Sequence, residues 1–140
     1  MKKTIDRLHN AEERHKYFLE DKDLKECCRF YIGPMRLYVG YFSKVLILNL
    51  KKIGFNLNNT KFAYLDDFHP NGRGDEALKK SRAGNGTKVL KEVISDCINN
   101  EAKIIFCFAS TESSRSFFLK KQGWTQDYPP KKHLFYKLIN

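Results

Sequence analysis

Apolar residues after Gly86 recur as Val89, Leu90, Val93, Ile94 and Cys97, a spacing that puts them on one face of a helix ending near Asn99 and Asn100. The next run, Ile104-Ile105-Phe106-Cys107-Phe108-Ala109, is apolar without alternation, as in a strand covered on both faces and paired in parallel. Ser110 or Thr111 is placed to cap a second helix running to about Gln122, with Gly123 as its terminator. Trp124–Tyr128 and His133–Ile139, on either side of Pro129 and Pro130, read as two closing strands. Upstream, β-branched and aromatic residues broken by turn signals predict antiparallel strands at 30–32, 36–41 and 44–50. A further strand is predicted at 61–68, after the turn-prone Asn56-Leu57-Asn58-Asn59. Residues 69–83 are polar and begin Gly-rich, which reads as a surface loop with a helical turn at Asp75–Lys80. Before Arg29 the chain is highly charged, and Ile5, Leu8, Phe18, Leu19 and Leu24 form a loose stripe, interrupted at Asn10, that predicts one or two helices over 4–26. The order is therefore helices, strands, then β-loop-α-β-α-β-β, a mixed α/β sheet with a crossover in its second half.

Composition narrows the class. With 140 residues and 41% apolar content, the chain is sized for one domain with one core. The expected division is a single domain over 1–140, with a helical part at 1–28 and a ligand-binding half at 61–140. No run of about 18 apolar residues occurs, and the first residues pass directly into charge. A soluble, cytoplasmic protein without a membrane partner is expected. Cys27, Cys28, Cys97 and Cys107 lack C-x-x-C spacing, so reduced, buried thiols are expected. The four histidines, His9, His15, His69 and His133, are scattered, and no metal is expected.

The net charge of +10 is unevenly placed. Residues 1–30 carry eight Lys/Arg against seven Asp/Glu, and residues 31–140 carry eighteen against nine. Such an excess attracts nucleic acid, a membrane surface or a phosphorylated ligand without choosing among them, and also suits a plain solubilising surface. Most Phe and Tyr fall inside strand or helix patterns, where core packing is their ordinary use, and no zinc-finger, RRM or KH signature occurs. A nucleic-acid partner is left open but not expected; steep loss of binding with salt would mark one.

The informative segment is Ser81-Arg82-Ala83-Gly84-Asn85-Gly86-Thr87, running into the helix. Its glycines bare backbone N–H groups at a positive helix end, and Lys79, Lys80, Arg82 and Lys88 add full charges, a setting suited to pyrophosphate. A turn that simply uses glycine has the same pattern. P-loop spacing is absent and the Rossmann fingerprint does not fit. The segment resembles the coenzyme A loop of the GNAT acyltransferase superfamily, Gln/Arg-x-x-Gly-x-Gly/Ala at a helix start. Gly84 and Gly86 match, and Ser81 stands at the Gln/Arg position with Arg82 next to it. Ser113–Trp124 resembles the family's later helix, which typically ends Phe-Tyr-x-Lys-x-Gly-Phe. The resemblance covers 61–140.

It implies a mixed, mostly antiparallel sheet whose central parallel strands, here Tyr64–Phe68 and Ile104–Ala109, splay to hold acetyl-coenzyme A. The pyrophosphate would lie on the backbone of Arg82–Thr87. The implied cofactor-binding residues are Phe68, Ser81, Arg82, Ala83, Gly84, Asn85, Gly86 and Thr87. The implied activity is direct acetyl transfer to an amine whose identity the sequence leaves open, as it does the oligomeric state. Asp66, Asp67 and His69, at the end of the strand bordering the thioester, are candidate bases; adjacent acids there also commonly just solvate a strand end. Three features depart from the pattern. Leu119 stands where the thiolate-protonating tyrosine is usual and Glu112 where an asparagine is common, which makes Tyr128, Tyr136 or water the candidate acid. The 69–83 loop is long enough to lie over the acceptor site. No obvious strand precedes the N-terminal helices. A GNAT-fold module that binds coenzyme A or a protein without catalysis is the alternative reading.

Overall fold

The computed structural model describes residues 1–19, 25–70, 85–128 and 133–140. Its N-terminal part is a hairpin, not helices: β1 (Lys2–Arg7) pairs antiparallel with β2 (Glu13–Phe18), from Lys2 opposite Phe18 to Arg7 opposite Glu13. The helical expectation for this part of 1–28 is thus corrected. The residues that decide it are His15 and Tyr17, buried at alternate positions, and a stripe of aliphatic residues does not count them. His15 stacks on Phe30 at 4.4 Å, and the Tyr17 hydroxyl donates to Asp96. Ile5, part of the supposed helical stripe, is exposed. The hairpin turns through Asn10 and Ala11, both at positive φ, and supplies the strand that seemed missing at the N-terminus.

A second correction concerns residues 36–50. After β3 (Glu26–Pro34) the chain makes two 3-10 turns, Met35–Leu37 and Val39–Tyr41, and then helix α1 (Lys44–Lys52) in place of two strands. An unalternated run such as Val45–Leu50 fits either element by pattern. Ser43 settles it. Its hydroxyl accepts from the Leu46 N–H at 3.2 Å as an N-cap. Its own N–H and hydroxyl donate to the buried Asp127 at 2.8 and 2.7 Å. Ser43→Ala is expected to cost about 1–2 kcal/mol, read as a lower urea midpoint at unchanged slope.

The remaining elements follow the expected order: β4 (Lys61–Phe68), α2 (Asn85–Asn99), β5 (Ala102–Phe108), α3 (Glu112–Ser116) with a π-turn at Phe117–Lys121, β6 (Thr125–Asp127) and β7 (Leu134–Leu138). Thr111 caps α3 and Gly123, at φ 71°, ends the segment. The expected helical turn at Asp75–Lys80 and most of the 69–83 loop lie outside the described residues.

Among the described residues, seven strands form one mixed sheet in the order β1-β2-β3-β4-β5-β7-β6. Of its neighbouring pairs only β4 and β5 run parallel, with α2 in the crossover between them. The expected fold class, one mostly antiparallel mixed sheet with a central parallel pair, holds. Val89, Leu90, Val93 and Cys97 of α2 pack on one face with Ala63, Leu65, Ile105 and Cys107. On the other, α1 and the 3-10 turns bury Met35, Tyr38, Phe42 and Leu50 against Phe62, Ile104, Phe106 and Leu134. Lys3 ties the hairpin to α2 through Glu92 at 2.7 Å and Asp96 at 3.1 Å. Among the described residues no helix is long and apolar enough to cross a membrane.

The four cysteines are free and buried. Burial raises the pKa of the Cys97 and Cys107 thiols, and a hydrogen bond with Cys27, reinforced by burial, raises that of Cys28. Tyr17 and Tyr38 are raised by burial and then by hydrogen bonds to Asp96 and Glu12. These groups keep their protons in the folded chain. The unfolded chain gives its protons up near the ordinary values of about 8.5 for Cys and 10 for Tyr. Their contribution to stability is therefore complete below about pH 8 and is lost as pH rises, by about 1.4 kcal/mol per pH unit for each group ionised only when unfolded. Urea midpoints at pH 7, 9 and 10 should fall in that order.

Candidate functional site

The site begins with a defect in strand pairing. Phe30 of β3 faces Leu65 of β4, but the preceding Arg29 faces Asp67, so Asp66 is an extra residue on β4. Such a bulge bends its strand. The β4–β5 ladder stops at Tyr64 opposite Phe106. Beyond that pair β4 follows β3 as far as Phe68, and β5 follows β7, with Cys107 opposite Phe135 and Phe108 opposite Leu134. The two parallel strands part, and a cavity of about 500 Å³ occupies the gap.

Its walls come from both sides of the sheet. Leu65, Cys107 and Ala109 belong to the α2-side core, whereas Phe108 packs with the α1-side core. The cavity lies where no ladder closes the sheet. Phe68, Phe117 and Phe118 line its inner part, with ring centroids 5.1–6.0 Å apart. Beyond Tyr64 and Phe106 no ladder joins β4 to β5 among the described residues.

The first turn of α2 meets this cavity at Gly86. A Cβ there would stand 3.1 and 3.3 Å from Cε1 and Cζ of the Phe117 ring, so glycine is what lets the helix start approach the aromatic wall. The first N–H groups of a helix lack intrahelical partners and carry positive potential. Asn85, Gly86 and Thr87 form this turn; Ser81, Arg82, Ala83 and Gly84 lie outside the described residues. The Thr87 hydroxyl accepts from Gln122 Nε2 at 3.0 Å, which ties α2 to the segment after α3. Lys121 also lines the cavity, its Nζ 5.9 Å from the Phe117 centroid.

Asp66, Asp67, Phe68 and His69 all border the cavity. Asp66 Oδ2 accepts from Arg29 Nε and Nη2 at 2.9 and 2.7 Å. Asp67 Oδ1 lies 2.9 Å from His69 Nε2. The His69 N–H donates to the Cys27 carbonyl at 2.6 Å, which anchors the residue as β4 ends. Tyr128 stands apart: it is 76% exposed, outside the cavity lining, and its hydroxyl donates to Gln126 at 3.4 Å. Tyr136, opposite Phe106 on β7, is also outside that lining. Burial, then nearby Asp127, raises its pKa against an opposing hydrogen bond to Thr125.

Leu119 is exposed and does not line the cavity. The Gln122 N–H bonds to the Phe117 carbonyl in the wide π-turn, and from this segment Phe117, Phe118 and Lys121 are the residues that border the cavity. Leu119→Ala should accordingly cost well under about 1 kcal/mol in a thermal melt, less than a packed leucine would. Sequence reasoning placed Cys107 in a strand bordering the ligand but missed Phe117 and Lys121 as lining residues. The spacing of Ser113 or Ser114, Phe117 and Lys121 would have found the helix face, since it follows the i, i+3/i+4 rule.

No protein-family model matches the chain, and no curated protein is significantly similar to it in sequence. Among solved structures, that of AtaT complexed with acetyl-methionyl-tRNAfMet aligns with 91% of this chain and 71% of its own, at 14% identity and a TM-score of 0.42.

Proposed function

We propose that this chain binds acetyl-coenzyme A between the parted ends of β4 and β5 and transfers the acetyl group to an amine. The observation that carries this reading is the cavity where the β4–β5 ladder stops. A thioester in the gap would be open to its carrier from the α2 side and to an acceptor from the other. The parted strands suit the amides of a pantetheine arm, and the α2 start, with Gly86 and the undescribed Ser81–Gly84, suits a pyrophosphate. Bound there, the thioester supplies an activated acetyl group, with the C–S bond breaking as the C–N bond forms.

The protein would hold the reactants and move protons. Asp66 is engaged by Arg29 and serves better as a positioning group than as a base. His69 is the stronger candidate: it borders the cavity, Asp67 fixes its ring, and an imidazole nitrogen can take a proton from an attacking amine. No tyrosine lines the cavity among the described residues, so water entering at the exposed Ser110–Ser113 rim would protonate the leaving thiolate. That same lack of a tyrosine favours a second reading, a module that binds coenzyme A without turnover.

Titration calorimetry with acetyl-coenzyme A at moderate salt, followed by a thiol-release assay over a panel of amines, separates these readings. Micromolar binding with thiol release is expected. His69→Gln should lower turnover about 10²–10⁴-fold with acetyl-coenzyme A affinity within twofold. Binding without release on any amine selects the inactive module, and absence of binding refutes both.

A further inference from the structure

Helix α1 is held by its inner side and, among the described residues, unused on its outer one. Leu50 is buried, and Leu46 and Ile47 pack against the α1-side core. Val45, Leu48 and Ile53, just past the helix end, are 68%, 58% and 63% exposed. Lys44, Lys51 and Lys52 are exposed beside them. The surrounding chemistry is one-sided: from Cys27 through Leu65 there is no Asp or Glu, against Arg29, Arg36, Lys44, Lys51, Lys52 and Lys61. An apolar stripe flanked by exposed lysines calls for an anionic counterpart that also accepts aliphatic side chains.

The dimensions narrow the choice. Nine helical residues span about 14 Å, and a strip one helix wide is far short of the roughly 800 Å² that each partner buries in a stable protein complex. A second copy docked helix to helix would set Lys44, Lys51 and Lys52 against the same lysines. A lipid surface needs no matching groove, takes a few aliphatic side chains at the boundary of headgroups and acyl chains, and gains about 1 kcal/mol for each nearby cation. We propose that the α1 face docks reversibly on an anionic lipid surface, with Val45, Leu48 and Ile53 entering the boundary and Lys44, Lys51 and Lys52 meeting lipid phosphates. This differs from spanning a bilayer, which the lack of a long apolar run concerns.

The test is co-sedimentation of the full chain with vesicles of phosphatidylcholine alone or mixed with phosphatidylglycerol. The intact protein should bind the mixed vesicles at least tenfold better, and less at 0.5 M than at 0.1 M salt. Val45→Asp with Leu48→Asp should lower that binding at least tenfold without lowering the melting temperature. Should that variant fail to fold, Leu48→Cys carrying an environment-sensitive fluorophore replaces it, since the native cysteines are buried; its emission should shift to the blue on mixed vesicles only. Equal binding to both vesicle types, retention by the folded double variant, or no shift at position 48 would overturn the proposal. So would a dimer abolished by the same substitutions, which would give the face to a second copy.

Discussion

Gly86→Leu is expected to lower acetyl-coenzyme A affinity at least about 100-fold, equivalent to about 2.7 kcal/mol, while the chain stays folded. Its Cβ would already stand 3.1 Å from the Phe117 ring and 3.7 Å from Pro70 Cγ. The rest of a leucine side chain must therefore enter the cavity or drive the ring into it. The helix itself gains from the change, because glycine costs it about 1 kcal/mol relative to a good helix former. Gly86→Ala is the control: that gain against a contact tight by a few tenths of an ångström should leave stability nearly unchanged and weaken binding less. Calorimetric titration beside a circular-dichroism melt reads both quantities. Full affinity in a folded leucine variant would remove the cavity from consideration as the cofactor site.

Phe106→Ala is expected to be the most damaging single change to the fold, costing about 3–5 kcal/mol. The residue is fully buried at the centre of the sheet. Its ring stacks on Tyr64 at 4.9 Å and meets Phe42 edge-on at 4.8 Å, with Tyr38, Tyr41 and Phe108 within 6.2 Å. Truncation would leave a void that several aromatic neighbours share and cannot close without leaving their own contacts. Against a total stability of about 5–15 kcal/mol for an ordinary domain, such a loss is severe. Urea unfolding should show a much lower midpoint; a shift worth under about 1 kcal/mol would mean the cluster repacks. Phe106 also belongs to the last β4–β5 pair, so surviving folded protein should bind acetyl-coenzyme A more weakly as well.

Much of the second half of the chain was legible without coordinates. The stripe Val89, Leu90, Val93 and Cys97 fixes α2, because only a helix brings those residues to one face. The unalternated run Ile104–Cys107 fixes β5 as a strand buried on both sides. The resemblance around Gly86 and Phe117–Gly123 singled out segments that border the cavity. The first half was misread where burial is carried by residues that hydropathy ranks poorly, His15 and Tyr17, and where an apolar run fits two periods, Val45–Leu50. In the second case an Asp127 carboxylate more than 80 positions away stabilises the Ser43 cap, an influence that no local window contains.

The resemblance implied that β4 and β5 splay; what tertiary structure alone decided is where the opening begins. The bulge at Asp66 is a matter of register between two strands distant in sequence, and the parting after Tyr64 and Phe106 follows from each strand keeping a different outer neighbour. Which face of the α3 segment meets the gap depends on a π-turn that shifts Leu119 out by hydrogen bonding, not by hydropathy. The sequence by itself determined which segments are helical or extended wherever a single period dominates, since that information is local. The cavity and the His69–Asp67 pair beside it arise from how separate segments register against one another, and only the folded sheet sets that.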